Sequence, residues 1–130
     1  MLFDNERILR LFNNAPNSHI IKFFFFIAVN QPKSGTRGFK INKLQLQFAL
    51  KLGRTNFFEA LHWLKDNSFL QELKIGDDSD FMVNPYIVES EVEQDARIKE
   101  WNRRCNLDIA REIRLKKERR RREAKKAAQQ

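Results

Sequence analysis

The chain lacks most of the residues that enzyme, metal or membrane chemistry would need. Cys105 is its only cysteine. No internal disulfide can form, so a reducing compartment, the cytoplasm, is the expected location. No apolar run is long enough to cross a bilayer. The most lipid-like stretch, Ile20–Val29 (IIKFFFFIAV), has ten residues with Lys22 inside, whereas a spanning helix needs about 20. It reads as a buried helix, and no membrane partner is expected. The opening MLFDNERILRLFNN is charged and amphipathic, without the apolar core and cleavage pattern of a secretory signal. There is no glycine-rich phosphate loop, no His-Glu-x-x-His, no Cys-x-x-Cys, and no Ser or Cys with a fitting base. Tyr86 is the only tyrosine that a nicking reaction could use, and no His-hydrophobic-His motif accompanies it. Cys105 lies far from His19 and His62, so no metal site is expected. Asp77, Asp78 and Asp80 lack the spacing and closing Glu of a calcium loop. The expectation is a non-enzyme with no cofactor and no small-molecule ligand.

Phenylalanine and positive charge are abundant. Twelve of the 130 residues are Phe, which brings large buried area to a modest core. The net charge is +8 and the isoelectric point about 9.9, a balance that favours polyanions, nucleic acid first. The charge is segregated. Residues 1–75 carry eleven Lys/Arg against five Asp/Glu, residues 76–95 carry none against seven, and residues 96–130 carry fourteen against five. A mildly basic domain is thus followed by an acidic band and a strongly basic tail, with no internal repeat.

Three segments are expected: an N-terminal helix and linker over 1–17, a domain over 18–88, and an acidic linker with a basic helical tail over 89–130. Residues 1–12 read as a short helix, broken by Asn13-Asn14-Ala15-Pro16-Asn17. Ser18 is the expected cap of the next helix, IIKFFFFIAV, buried on most sides. A loop over 30–38 leads to a short strand, Phe39–Ile41. Asn42 caps a helix over 43–52, with Gln45 at capping-box spacing and Leu44, Phe48 and Leu52 as its apolar face. Gly53 supplies a turn. A helix over 54–67 follows, with Thr55 as candidate cap and Phe57, Ala60, Leu61 and Leu64 inward. Residues 69–75 and 81–84 form two strands around the turn GDDSD. Asn84-Pro85 ends the second strand, because proline cannot donate to a ladder. Phe81, Met82 and Val83 should alternate between core and outside.

Helix, short strand, helix, tight turn, helix, hairpin is the order of a winged helix-turn-helix. The fold class expected is therefore mainly α with a small β-hairpin, a winged helix-turn-helix followed by a long basic C-terminal helix. The stretch from Gly53 to Leu64 with Met82-Val83-Asn84-Pro85 and the following Tyr86-Ile87 resembles the RepL-type plasmid replication proteins, whose wing typically ends in Met-(Ile/Val)-Asn-Pro. The resemblance spans roughly Ser18 to Val88. It implies a DNA-binding role in plasmid or phage replication, with host replication proteins as partners. The acidic wing tip departs from the usual phosphate-seeking wing, and the turn after Gly53 is about two residues short of the Gly-x-Ser pattern.

The second helix of the pair would enter the major groove. Its outward residues are Arg54, Thr55, Asn56, Phe58, Glu59 and His62. Arg and Asn suit guanine and adenine edges, Glu suits cytosine, and Thr or Phe can touch a thymine methyl. A plain solvated face is the competing reading for each residue, and His62 is equally a surface histidine beside Trp63. Candidate phosphate contacts are Arg37, Lys40, Lys43, Lys51 and Lys65, with Lys116, Lys117, Arg119, Arg120, Arg121 and Arg122 in the tail. The tail stripe Trp101, Cys105, Ile109 and Ile113, with Ile98 and Leu107 near it, is expected to pack over 98–113. Its partner is either the domain or a second copy, so a homodimer is open. The block 116–126 reads either as a phosphate-binding arm or as a solubilising end. A winged-helix transcriptional regulator and a protein-interaction adaptor with weak DNA contact are the alternative functions.

Overall fold

The computed structural model describes residues 2–90 and 92–129. The chain is mainly helical, with two small antiparallel sheets and a long C-terminal helix. The elements run β1 (Leu2–Phe3), α1 (Asn5–Asn14), α2 (Ser18–Val29), β2 (Phe39–Ile41), α3 (Lys43–Leu50), α4 (Arg54–Asp66), β3 (Leu70–Ile75), β4 (Asp78–Val83), β5 (Val88–Glu89) and α5 (Gln94–Ala128). One sheet has the order β2-β4-β3, and the other pairs β1 with β5. Residues 2 and 3, expected as helix, instead pair with Glu89 and Val88. Asp4 caps α1 by accepting from the Arg7 amide.

α2 is the central helix, as its composition requires. Ile20, Phe23, Phe24, Ile27 and Ala28 are buried. Its cap is Asn17, not Ser18: the Asn17 side chain accepts from the amides of His19 and Ile20. Asn42 caps α3 as expected, accepting from Leu44 and Gln45. The face of α3 is rotated from the expected one. Leu46 and Leu50 are buried with Leu52, while Leu44 and Phe48 are 59% and 72% exposed. Both stripes satisfy helical spacing, and only packing against α2 selects between them.

The turn into α4 also differs. Lys51 takes the left-handed conformation at φ 56°, its amide bonds Phe48 O, and the Leu52 amide reaches back to Gln47 O. This closes α3 as a Schellman motif with lysine where glycine is usual. Gly53 is the extended N-cap of α4; Thr55 lies inside the helix and is not the cap. Ser68, at φ 61°, closes α4 in the same way, with Ser68 bonding Lys65 O and Phe69 bonding Leu64 O.

The hairpin is tighter than expected. Ile75 pairs with Asp78, so only Gly76 and Asp77 form the turn. Gly76 has φ 62°, the positive value that a two-residue hairpin turn needs at its first position. Ser79 and Asp80 belong to β4 and are buried. Phe81, Met82 and Val83 are all buried rather than alternately exposed, because the sheet is covered on both faces. Phe81 and Val83 join the core made with α2 and α4. Met82 and Asp80 face the other side, where α5 lies. There Arg104 pairs with Asp80 at 2.8 Å, and Gln71, cross-strand partner of Met82, donates to Trp101 O.

Gly38 sits where β2 approaches β4. Its amide donates to Asp80 Oδ1, and a Cβ there would meet Asp80 Oδ1 and the carbonyl of Phe81. Asn84 is a hub of the turn after β4. Its Nδ2 donates to Ser68 O, its Oδ1 accepts from the Tyr86 amide, and its carbonyl accepts from Ile87 and Val88. Asn84-Pro85 therefore turns the chain from β4 back to β5.

Of the stretch expected as a linker, Glu89 belongs to β5 and Gln94 and Asp95 to α5, while Glu91 lies outside the described residues. α5 docks through two buried arginines. Arg97 donates to Gln31 Oε1 and Gly35 O, each at 3.0 Å. Burial and the charge of Arg104 lower its pKa. Arg104 meets Asp80 and Glu100. Docking ends near Cys105. Leu107, Ile109 and Ile113, expected to pack, are exposed. The stripe that does pack on the domain is Arg97, Trp101 and Arg104, because buried carboxylate and carbonyl acceptors await the two guanidinium groups.

Candidate nucleic-acid interface

α4 divides cleanly into two faces. Phe57, Ala60, Leu61 and Leu64 are buried, and Arg54, Thr55, Asn56, Glu59 and His62 are exposed. The sequence periodicity places these residues, because the apolar positions sit at spacings of three and four. Gly53 leaves the helix start open, with nothing near the place of a Cβ. Arg54, Thr55 and Asn56 therefore occupy the first turn, where amide groups point outward.

Phe58 is not a free outward residue. It is half-buried, packs edge-on against Phe57 at 5.2 Å and lies 6.3 Å from the His62 ring. Lys43 Nζ and the Arg54 guanidinium each stand 5.9 Å from its centroid. Its ring is partly covered and lies at the outer reach of a cation–π contact with both cations.

The expected phosphate contacts fall into three groups. Lys43 and Lys65 converge on Glu72, at 2.8 Å and 3.2 Å, and Ser79 Oγ donates to the same carboxylate at 2.6 Å. Burial raises the Glu72 pKa, but the hydrogen bonds from Lys43 and Ser79 and the charge of Lys65 outweigh it, and the net shift is downward. The ionised carboxylate ties α3, α4 and β3 together and neutralises half of the lysine charge. Arg37, Lys40 and Lys51 are exposed. Lys116, Lys117 and Arg119–Arg122 are exposed on the free part of α5.

Sequence reasoning missed Lys22. Its ammonium donates to Leu50 O at 2.8 Å, capping the C-terminal end of α3, where a cation is favoured. That adds a cation to the turn that holds Lys51 and Arg54. No spacing signal in the sequence links Lys22 to a carbonyl 28 residues away.

The expected acidic tip is reduced. Asp80 is buried against Arg104, Ser79 is buried, and Asp77 alone of the three aspartates is exposed. The anchors also fix the direction of α5. Arg97 lies beside Gln31, which bonds the Val83 amide and Phe81 carbonyl, and Arg104 lies at Asp80. α5 therefore runs back along β4 toward the hairpin tip. Residues 106–128 continue beyond their last anchors for roughly 35 Å at 1.5 Å per residue. The docked part of α5 and the exposed face of α4 lie on opposite sides of the sheet.

An open cleft of about 440 Å³ lies elsewhere, lined by Ala28, Val83, Val88, Val92 and Arg97 among others. Among the described residues no group of three His, Cys, Asp or Glu is placed to hold a metal ion, and no helix is long and apolar enough to cross a membrane. Comparison with protein-family models, curated proteins and solved structures finds no match to this chain.

Proposed function

We propose that the chain is a winged helix-turn-helix protein that binds double-stranded DNA and acts in plasmid or phage replication initiation and copy maintenance. α3 and α4 form the helix-turn-helix, β3 and β4 the wing, and α4 the recognition helix. Binding recruits host replication proteins rather than cutting or copying DNA. One observation carries this reading: α4 stands beside a sheet of order β2-β4-β3 and exposes Arg54, Thr55, Asn56, Glu59 and His62 along one edge. No side-chain hydrogen bond or ion pair to another described residue engages Arg54, Thr55, Asn56 or Glu59. Polar groups of this type match the donor and acceptor code of the major groove. The basic residues of α5 beyond the wing tip supply sequence-independent affinity. The link to replication rests on the likeness of Met82-Val83-Asn84-Pro85 to the RepL-type wing ending.

A second reading, the protein-interaction adaptor, is favoured by exposed Leu44 and Phe48 on α3. The regulator alternative shares the DNA-binding scaffold. Footprinting on the DNA around the chain's own gene, with titrations of specific and random duplexes at two salt concentrations, separates the three. Protection at an origin supports the replication role, and protection at a promoter supports the regulator. Arg54→Ala and Asn56→Ala should each cost about 1–3 kcal/mol of discrimination. Undiminished discrimination in both variants removes α4 as the reader, and no binding at low salt leaves the adaptor.

A further inference from the structure

We infer that the chain associates with a second copy of itself through an apolar surface formed by α1 and α2, centred on Leu9, Phe12 and Val29. These three side chains are 58%, 49% and 62% exposed. Leu9 and Phe12 are neighbours at i, i+3 on α1. On α2, Ile21, Phe25 and Val29 form an outward stripe at i, i+4, i+8. The two stripes meet where the Phe12 and Phe25 rings lie 5.9 Å apart.

The area fits a dimer. Large apolar side chains present on the order of 150–200 Å² each when fully exposed, so the three exposed ones leave roughly 250–350 Å². The half-buried Ile8, Ile21 and Phe25 bring the patch to roughly 400–500 Å² per subunit. A standard interface of about 800 Å² per partner, about 56–65% apolar, needs roughly that much. A patch of this size matches the largest apolar patch of a typical monomer, which is often functional.

The charge fits a copy of the same surface better than a polyanion. The α1 rim carries Glu6 and Arg10, one of each sign, with Asn5 and Asn13. The adjacent Lys22 has its ammonium turned onto Leu50 O. A near-neutral, mixed-sign rim is self-complementary about a two-fold axis. The other exposed apolar pair, Leu44 and Phe48, sits on a helix flanked by Lys40, Lys43 and Lys51. The stripe of α5 belongs to residues 96–130, whose fourteen Lys/Arg against five Asp/Glu would repel a second tail.

Sedimentation equilibrium of the full chain without DNA tests this independently of the DNA-binding reading. The wild type should sediment at twice the 15.6 kDa chain mass at micromolar concentration. Leu9→Glu on α1 and Val29→Glu on α2 should each weaken association on the order of a hundredfold with unchanged helicity, and Phe48→Glu should leave it intact. A wild type that stays monomeric overturns the inference. So does a dimer that survives both Leu9→Glu and Val29→Glu, or one that Phe48→Glu dissociates. Unfolding of both α1 and α2 variants counts against it too, since side chains exposed in the single chain are not needed for its fold. If one variant unfolds, the other decides.

Discussion

Replacing Arg104 by methionine should undock α5 and destabilise the whole fold. Arg104 and Asp80 are both buried, with their charged atoms 2.8 Å apart. Without the guanidinium, Asp80 keeps only the Gly38 amide on a carboxylate removed from water. Breaking one side of such a pair costs about 3–5 kcal/mol. With an unfolding entropy near ~2.1 cal/mol/K per residue, a chain of 130 residues should lose roughly 10–20 °C in Tm. Circular dichroism melts and urea titrations read this directly, and hydrogen exchange along residues 94–105 reports undocking. Combining Arg104→Met with Asp80→Asn removes both charges and retains an acceptor for Gly38. The double variant should therefore recover at least about 1 kcal/mol of the loss. A cost below about 1 kcal/mol for Arg104→Met, with no recovery in the double variant, would refute the idea that this pair anchors the tail.

Three further outcomes follow from the same geometry. Gly38→Ala forces a methyl against the Phe81 carbonyl, which is backbone and cannot swing away, so it should cost about 3 kcal/mol in urea unfolding. Glu100 accepts from Arg103 and Arg104, which hold its pKa down to about 2 against an ordinary value of 4.5. A depressed folded pKa contributes stability above the unfolded value that is lost as pH falls from about 4.5 toward 2; Glu100→Gln should flatten the Tm-against-pH curve in that window and leave the profile above pH 5 unchanged in shape. Truncation after Leu115 removes eight Lys/Arg from exposed helix, so stability should move by less than about 0.5 kcal/mol. If half of these cations touch phosphate, the slope of log affinity against log salt should shrink by roughly 3–4.

Much of the fold was legible in the chain. The order of the main helices and the hairpin, the strand Phe39–Ile41, the Asn42 cap, the buried Phe-rich helix and the faces of α4 all follow from periodicity and local chemistry, whereas the pair of β1 with β5 does not. These signals are short-range and each is repeated several times. The misses have particular causes. α3 carries two apolar stripes of equal spacing, so its orientation could not be read locally. Lys51 and Ser68 take left-handed turn positions that sequence patterns assign to glycine, because the Schellman hydrogen bonds outweigh the modest strain. Arg97 and Arg104 carry no sequence signal of their own, since nothing nearby in the chain announces their buried acceptors.

For the candidate interface the division is similar. Arg54, Thr55, Asn56, Glu59 and His62 are outward by helical arithmetic alone. Commitment of the cations is not arithmetic: Lys43 and Lys65 are held by Glu72, Lys22 is drawn to the end of α3, and Phe58 is folded under two cations. Local pattern alone was enough to place the main helices and the hairpin, to say which face of α4 meets solvent, and to show that the tail is cationic. Which apolar stripe of α3 is inside, the covering of β4 on both faces, and the point where α5 stops touching the domain all depend on long-range packing. Local pattern sets a residue's direction along its own helix or strand, but burial of charge is worthwhile only when a partner distant in sequence arrives at hydrogen-bonding distance.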